Sequence, residues 1–203
     1  MKYDAVVFDL LTALLDSWTL WNDVAGSPEA GLKWRRRYLE VTYGCGAYRP
    51  YETLVREAAC DVGLSESLGD GLERRWGELA PWPEATTVLQ KLPVPLAVAT
   101  NCSIRLGCLA ADRVGVPFKV VATAESVGFY KPRPESYRAV LAALGTEPGR
   151  TLVAGSASDV PGAKGVGMTV YWHNRIGLPP RDDTKPDHLE PTLDKLADLF
   201  PPA

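Results

Sequence analysis

The chain has 203 residues, 46% hydrophobic and 23% charged, with a formal net charge of -3; this is ordinary globular composition with one sizeable core, which excludes a disordered or fibrous chain. Basic residues are scattered apart from Lys33 and Arg35 to Arg37, so a small polar or anionic ligand is expected and neither nucleic acid nor a membrane surface is. Cys45, Cys60, Cys102 and Cys108 form no CxxC pair and have no histidine neighbours, which predicts free, mostly buried thiols rather than a zinc site or disulfide framework.

The first strand is predicted at residues 5–8. The opening stretch, residues 1–15, is apolar but interrupted by Asp4 and Asp9, and it lacks a basic leader and cleavage site, so it reads as core rather than signal peptide. No later run reaches the roughly 20 apolar residues of a membrane helix, and the cytoplasm is the expected location. Further strands are predicted at 96–100, 119–122, 152–155 and 169–172, alternating with helix-like stretches. That alternation predicts an α/β fold, a Rossmann-like parallel sheet with helices on both faces. Residues 9–95 separate the first two strands, far more than one crossover helix needs, so an inserted helical cap is expected over 15–82, with the core formed by 1–14 and 83–203. Within the cap, Ser27-Pro28 starts a helix running to about Thr42. Near the end, the Pro/Asp-rich stretch 178–186 reads as a solvent-facing connection ahead of a short terminal helix.

In such sheets ligands bind beyond the carboxyl ends of the strands, where Asp9, Thr100-Asn101 and Ser156 to Asp159 stand. An acid directly after an apolar strand is costly to desolvate unless hydrogen bonds or chemistry compensate, so Asp9 is either a turn former or a nucleophile. On the cap helix, Trp34, Tyr38, Val41 and Thr42 cover one side and Lys33, Arg36, Arg37 and Glu40 the other, with Arg35 in the middle of the apolar side. Arg35 therefore snorkels or pairs with a structural carboxylate, or it points into the crevice as an anion donor. Thr100-Asn101 can equally be a helix cap. Lys131 lies among Pro132 and Pro134, a setting that is usually solvent-exposed. Neither His173 nor His188 has a Ser or Cys partner, and both are expected to be solvated and without chemistry.

Taken in order, the strand-end Asp9, Thr100-Asn101, Lys131-Pro132 with Tyr137, and the loop ending in Asp159 resemble the haloacid dehalogenase superfamily, and Trp34-Arg35 resembles its L-2-haloacid dehalogenase branch. Phosphatases of that superfamily carry a second Asp in the opening motif and another in the last loop, where this chain has Leu11 and Gly155. The resemblance therefore implies a hydrolase without metal or organic cofactor. It implies Asp9 as nucleophile, Lys131 keeping it ionised, Asp159 assisting water and Arg35 handling halide, with Leu11, Thr100, Asn101, Tyr137 and Ser156 around the substrate. The implied reaction converts a small 2-haloalkanoic acid into a 2-hydroxy acid through an ester. Family members are often dimers, so a homodimer is the lean. The branch usually has Tyr where Leu11 stands, Thr at Ala13, and Ser and Asn at Ala154 and Ser156. Those departures leave open a different leaving group, such as a strained-ring carboxylate, or a silent homologue; a residual phosphatase is disfavoured.

Overall fold

A computed structural model describes residues 2–201. Strands β1 (Ala5–Phe8), β2 (Leu96–Thr100), β3 (Val120–Thr123), β4 (Thr151–Gly155) and β5 (Thr169–His173) occupy the predicted positions to within a residue or so. A sixth, β6 (His188–Glu190), extends the sheet, which runs β3-β2-β1-β4-β5-β6 with every pairing parallel. β6 is short, polar and only partly buried, so it carries no apolar run by which sequence could announce a strand.

Alternate strand residues enter separate apolar layers because side chains alternate across a pleated strand. Val6, Phe8, Val98, Leu152 and Tyr171 pack on one face. Ala5, Val7, Ala97, Val153 and Val170 pack on the other. Helix α6 (Ile104–Arg113) covers the first face, and α8 (Pro134–Leu144) with α9 (Asp159–Lys164) covers the second. A sheet buried on both sides explains why these strands read as continuous hydrophobic runs.

Between β1 and β2 the chain forms α1 (Ser17–Ala25), α2 (Pro28–Gly44), α3 (Tyr51–Asp61) and α4 (Ser67–Arg74), then returns through α5 (Ala85–Gln90). The departing and returning segments pair where Leu15 meets Pro81. α2 begins as its sequence predicts, with the Ser27 hydroxyl accepting from the Ala30 N–H at 3.2 Å and Pro28 in the first turn. Trp34 lies at the centre of the inserted helices: its ring centroid is 4.6 Å from that of Trp21, and its indole N–H donates to the Val55 carbonyl at 2.8 Å. Trp76 donates to the Leu106 carbonyl at 2.9 Å and Tyr38 to that of Asn101 at 2.9 Å. These bonds tie the insertion to the β2 side of the sheet.

The short α7 (Ala124–Val127) follows β3, and a 3-10 segment, Asp194–Leu199, stands where the terminal helix is expected. All four cysteines are free, but only Cys102 is buried; Cys60 and Cys108 are exposed, which corrects the expectation of mostly buried thiols. Among the described residues no helix is long and apolar enough to cross a membrane.

Because Trp34 is fully buried, Trp34→Ala should cost about 3–5 kcal/mol in urea unfolding, whereas Trp34→Phe, which keeps most of the apolar volume, should cost much less.

Candidate active site

The strand order reverses direction between β1 and β4, and a crevice opens there beyond their carboxyl ends. Asp9 follows β1 directly, and its N–H donates to the Ala154 carbonyl at 3.0 Å, so sheet pairing fixes its backbone. The residue is 8% exposed. Oδ1 accepts from Lys131 Nζ at 2.8 Å, while Oδ2 accepts from the Thr12 N–H at 2.9 Å and from the Thr12 hydroxyl. Burial alone would raise the Asp9 pKa. The charge of Lys131 and the hydrogen bonds from Lys131 and Thr12 outweigh it and hold the carboxyl below its ordinary 3.8.

Lys131 is buried rather than solvent-exposed, and its ammonium stands between two carboxylates, 2.8 Å from Asp9 and 3.0 Å from Asp159. Burial pushes its pKa down, but the Asp159 and Asp9 charges and their hydrogen bonds raise it further, and the net shift is upward. Asn101 holds the lysine backbone from both sides: Oδ1 accepts the Lys131 N–H at 2.7 Å and Nδ2 donates to its carbonyl at 3.1 Å.

Asp159, the first residue of α9, receives four donors. Tyr137 OH at 2.9 Å and Lys131 meet Oδ1, and the Ser156 N–H and hydroxyl, each at 2.8 Å, meet Oδ2. Two glycines permit this packing by close approach. A Cβ at Gly155 would lie 2.6 Å from the Asp159 side chain, and one at Gly162 would lie 2.6 Å from the Tyr137 ring. Gly155 is thus the space into which Asp159 folds.

Asp9 and Lys131 face a cavity of about 80 Å³, which Arg35, Leu11, Thr100, Asn101 and Ser156 also line. Arg35 is 4% exposed, makes no ion pair among the described residues, and leaves Nη1 unpartnered. Its guanidinium carbon stands 3.8 Å from the Trp18 ring centroid, which answers the choice left open by the helix pattern in favour of the crevice. Burial pulls its pKa down, with Tyr51 and Asp9 opposing; an arginine so placed stays charged. Tyr137 departs from expectation: it does not line the cavity but lies fully buried beneath it, where its hydroxyl reaches Asp159.

Sequence reasoning missed Thr12, Trp18, Tyr38, Tyr43 and Tyr51, all of which line the cavity. Tyr38 and Tyr51 look like ordinary packing residues in a helical pattern. Thr12 carried a usable signal, a hydroxyl three residues after a strand-end acid. Leu178 also lines the cavity, held by two hydrogen bonds to the Asn174 side chain at 2.9 and 2.8 Å, so the connection 178–186 is anchored to the site at its first residue. His173 is buried at 4% exposure rather than solvated. Among the described residues, no three His, Cys, Asp or Glu side chains converge as a metal-binding group.

The haloacid dehalogenase-like hydrolase family matches residues 3–167. The chain belongs to this family. It is 28% identical over 188 residues to the (S)-2-haloacid dehalogenase of Xanthobacter autotrophicus, an alignment covering 82% of this chain and 73% of that protein. It is 26% identical to haloacetate dehalogenase H-2 of Moraxella sp. (strain B), covering 98% of each. The structure of the Xanthobacter autotrophicus L-2-haloacid dehalogenase with chloropropionic acid covalently bound superposes with a TM-score of 0.83 at 26% identity, over 97% of this chain and 98% of that one.

This hydrolase lacks the branch's Thr at position 13, but Thr12, one residue earlier, brings a hydroxyl to the carboxylate. Thr12→Val removes that donor and keeps the shape. Because the lost bond favoured the charged form, the Asp9 pKa should rise, read from the carboxyl carbon chemical shift in a pH titration; an unmoved titration would remove Thr12 from the site.

Proposed function

We propose that this hydrolase is a metal-independent 2-haloacid dehalogenase, with Asp9 displacing halide from the carbon next to a small substrate's carboxylate. The observation that carries the reading is a buried Asp9, ion-paired to Lys131, facing a cavity with an unpartnered Arg35 nitrogen on its wall. A cavity of about 80 Å³ suits a molecule of a few heavy atoms. The names of the similar proteins, a 2-haloacid dehalogenase and a haloacetate dehalogenase, supply the substrate class.

In the first half-reaction an Asp9 oxygen bonds to C2 as the carbon–halogen bond breaks, giving an ester and a halide ion. Lys131 and Thr12 hold the carboxylate in place for attack. Arg35, stacked on Trp18 and desolvated, stabilises the departing anion, as preorganised charge does best in a water-poor pocket. Thr100 and Asn101, which line the cavity, contact the substrate. In the second half-reaction water adds to the Asp9 carbonyl carbon and the 2-hydroxy acid departs with inverted configuration, while Asp159 fixes Lys131.

The inserted helices serve as the cap that keeps the ester from bulk water, with 15–82 as cap and 1–14 plus 83–203 as core. Phosphoryl transfer is disfavoured because Leu11 presents an alkyl group where an acid would be needed and the Lys131 ammonium already stands between Asp9 and Asp159. A cytoplasmic homodimer completes the reading on the family resemblance alone.

With EDTA present, the wild type should release halide from one enantiomer of 2-chloropropionate. Asp9→Asn should release none, and Arg35→Ala should lose about 10²–10³-fold in kcat. Halide release that persists in Asp9→Asn, or that requires added magnesium, would contradict the proposal.

A further inference from the structure

Several aromatic side chains of the inserted helices send their polar hydrogen to a backbone carbonyl: Trp34 to Val55, Tyr38 to Asn101 and Trp76 to Leu106. The Trp21 indole N–H and the Tyr51 hydroxyl are buried as deeply, yet neither has a partner among the described residues, and Arg35 Nη1 has none either. Trp21 stands on α1, Arg35 on α2 and Tyr51 at the first position of α3, and all three line the cavity that Asp9 faces. The Arg35 guanidinium carbon is 5.6 Å from the Trp21 ring centroid, and Tyr51, then Asp9, are the groups felt most strongly at Arg35.

A buried donor left without an acceptor costs the fold the loss of its water, so a wall with several of them is a cost that a ligand would offset. The chemistry of the wall says which ligand. Arginine and indole N–H groups only donate. Burial holds the Tyr51 phenol well above its ordinary 10, so it keeps its proton and donates as well. None of the three gives up a proton near pH 7, so a leaving nitrogen that must be protonated finds no acid here, whereas an anion that departs unprotonated finds donors. Displacement at carbon sends the leaving group away from the attacking oxygen. Asp9 attacks from the core side, and the inserted helices form the other side of the cavity.

Resting on the proposed function, we infer that the Trp21 indole N–H, the Tyr51 hydroxyl and Arg35 Nη1 together form the pocket for the leaving anion, and that this pocket lets the hydrolase cleave the carbon–fluorine bond of small 2-fluoro acids. Fluoride is the most compact halide and accepts the strongest hydrogen bonds, so it leaves carbon only where donors replace the water that would hold it. Chloride and bromide are larger and more diffuse and depend less on such donors. As an Asp9 oxygen bonds to C2, the carbon–fluorine electron pair departs with fluoride, which takes hydrogen bonds from the three groups. The step consumes no proton and no co-reactant. Donors fixed in a water-poor site before the reaction act with little reorganisation.

The test compares 2-fluoropropionate with 2-chloropropionate, following Asp9 ester formation by rapid quenching and peptide mass, and halide with ion-selective electrodes. The wild type should form the ester and release halide from both. Trp21→Phe and Tyr51→Phe each delete one donor and keep an aromatic ring. In each, ester formation from the fluoro acid should fall on the order of 10²–10³-fold, and from the chloro acid by no more than about tenfold. Loss of folded protein lowers both rates alike, so the ratio within each variant decides, and where one variant does not fold the other decides alone. Rates for the two substrates that fall by the same factor, or a wild type that releases chloride and no fluoride, would overturn the inference and leave the proposed function in place. A wild type that releases neither halide would overturn the proposed function and the inference with it.

Discussion

The Lys131 ammonium between two buried carboxylates is the constraint around which this site is built. Withdrawing three charges from water costs several kcal/mol per ion, and geometry repays it only if every remaining donor and acceptor is met. The surroundings meet that demand. Asn101 clamps the lysine backbone, Thr12 bonds the far oxygen of Asp9, and Tyr137 with Ser156 completes Asp159. Gly155 and Gly162 are small so that Asp159 and Tyr137 can come so close. The result is a strand-end carboxylate that is both paired to an ammonium and out of bulk water.

The fold delivers these groups from separate stretches of chain to one place. Asp9 comes from the end of β1, Asn101 from the end of β2, Lys131 from the loop before α8, and Asp159 from the start of α9 after β4. Parallel strands leave all of these carboxyl ends on one edge, and the reversal of strand order between β1 and β4 opens the crevice they share. The inserted helices then bring Arg35 and aromatic rings over it. Core and insertion thus divide the cavity wall: one presents Asp9 and Lys131, the other presents Arg35 and aromatic rings that limit the volume.

Much of this was legible because its signals are local. Five strands announced themselves as apolar runs, and Arg35 stood out as a charge on the apolar side of an otherwise amphipathic helix. Asp9, Lys131 and Asp159 were recognisable by their order along the chain. What sequence hid depends on three-dimensional neighbours. Tyr38 and Tyr51 read as core until the cavity beside them is seen, and Tyr137 read as a substrate contact although it works from beneath. Ala13 suggested a lost donor because its replacement comes from Thr12. His173 looked like a solvated residue, since nothing in a dipeptide pattern reports that Trp82, Thr12 and Pro191 close around it.

The most direct test of the account is a single turnover in water enriched in oxygen-18, with enzyme in excess over 2-chloropropionate. If Asp9 forms the ester and water attacks its carbonyl carbon, the heavy oxygen enters the Asp9 carboxylate and the first 2-hydroxy acid released carries ordinary oxygen. Heavy oxygen found directly in that first product, with Asp9 unlabelled, would mean that water attacks the substrate itself and would contradict the central claim.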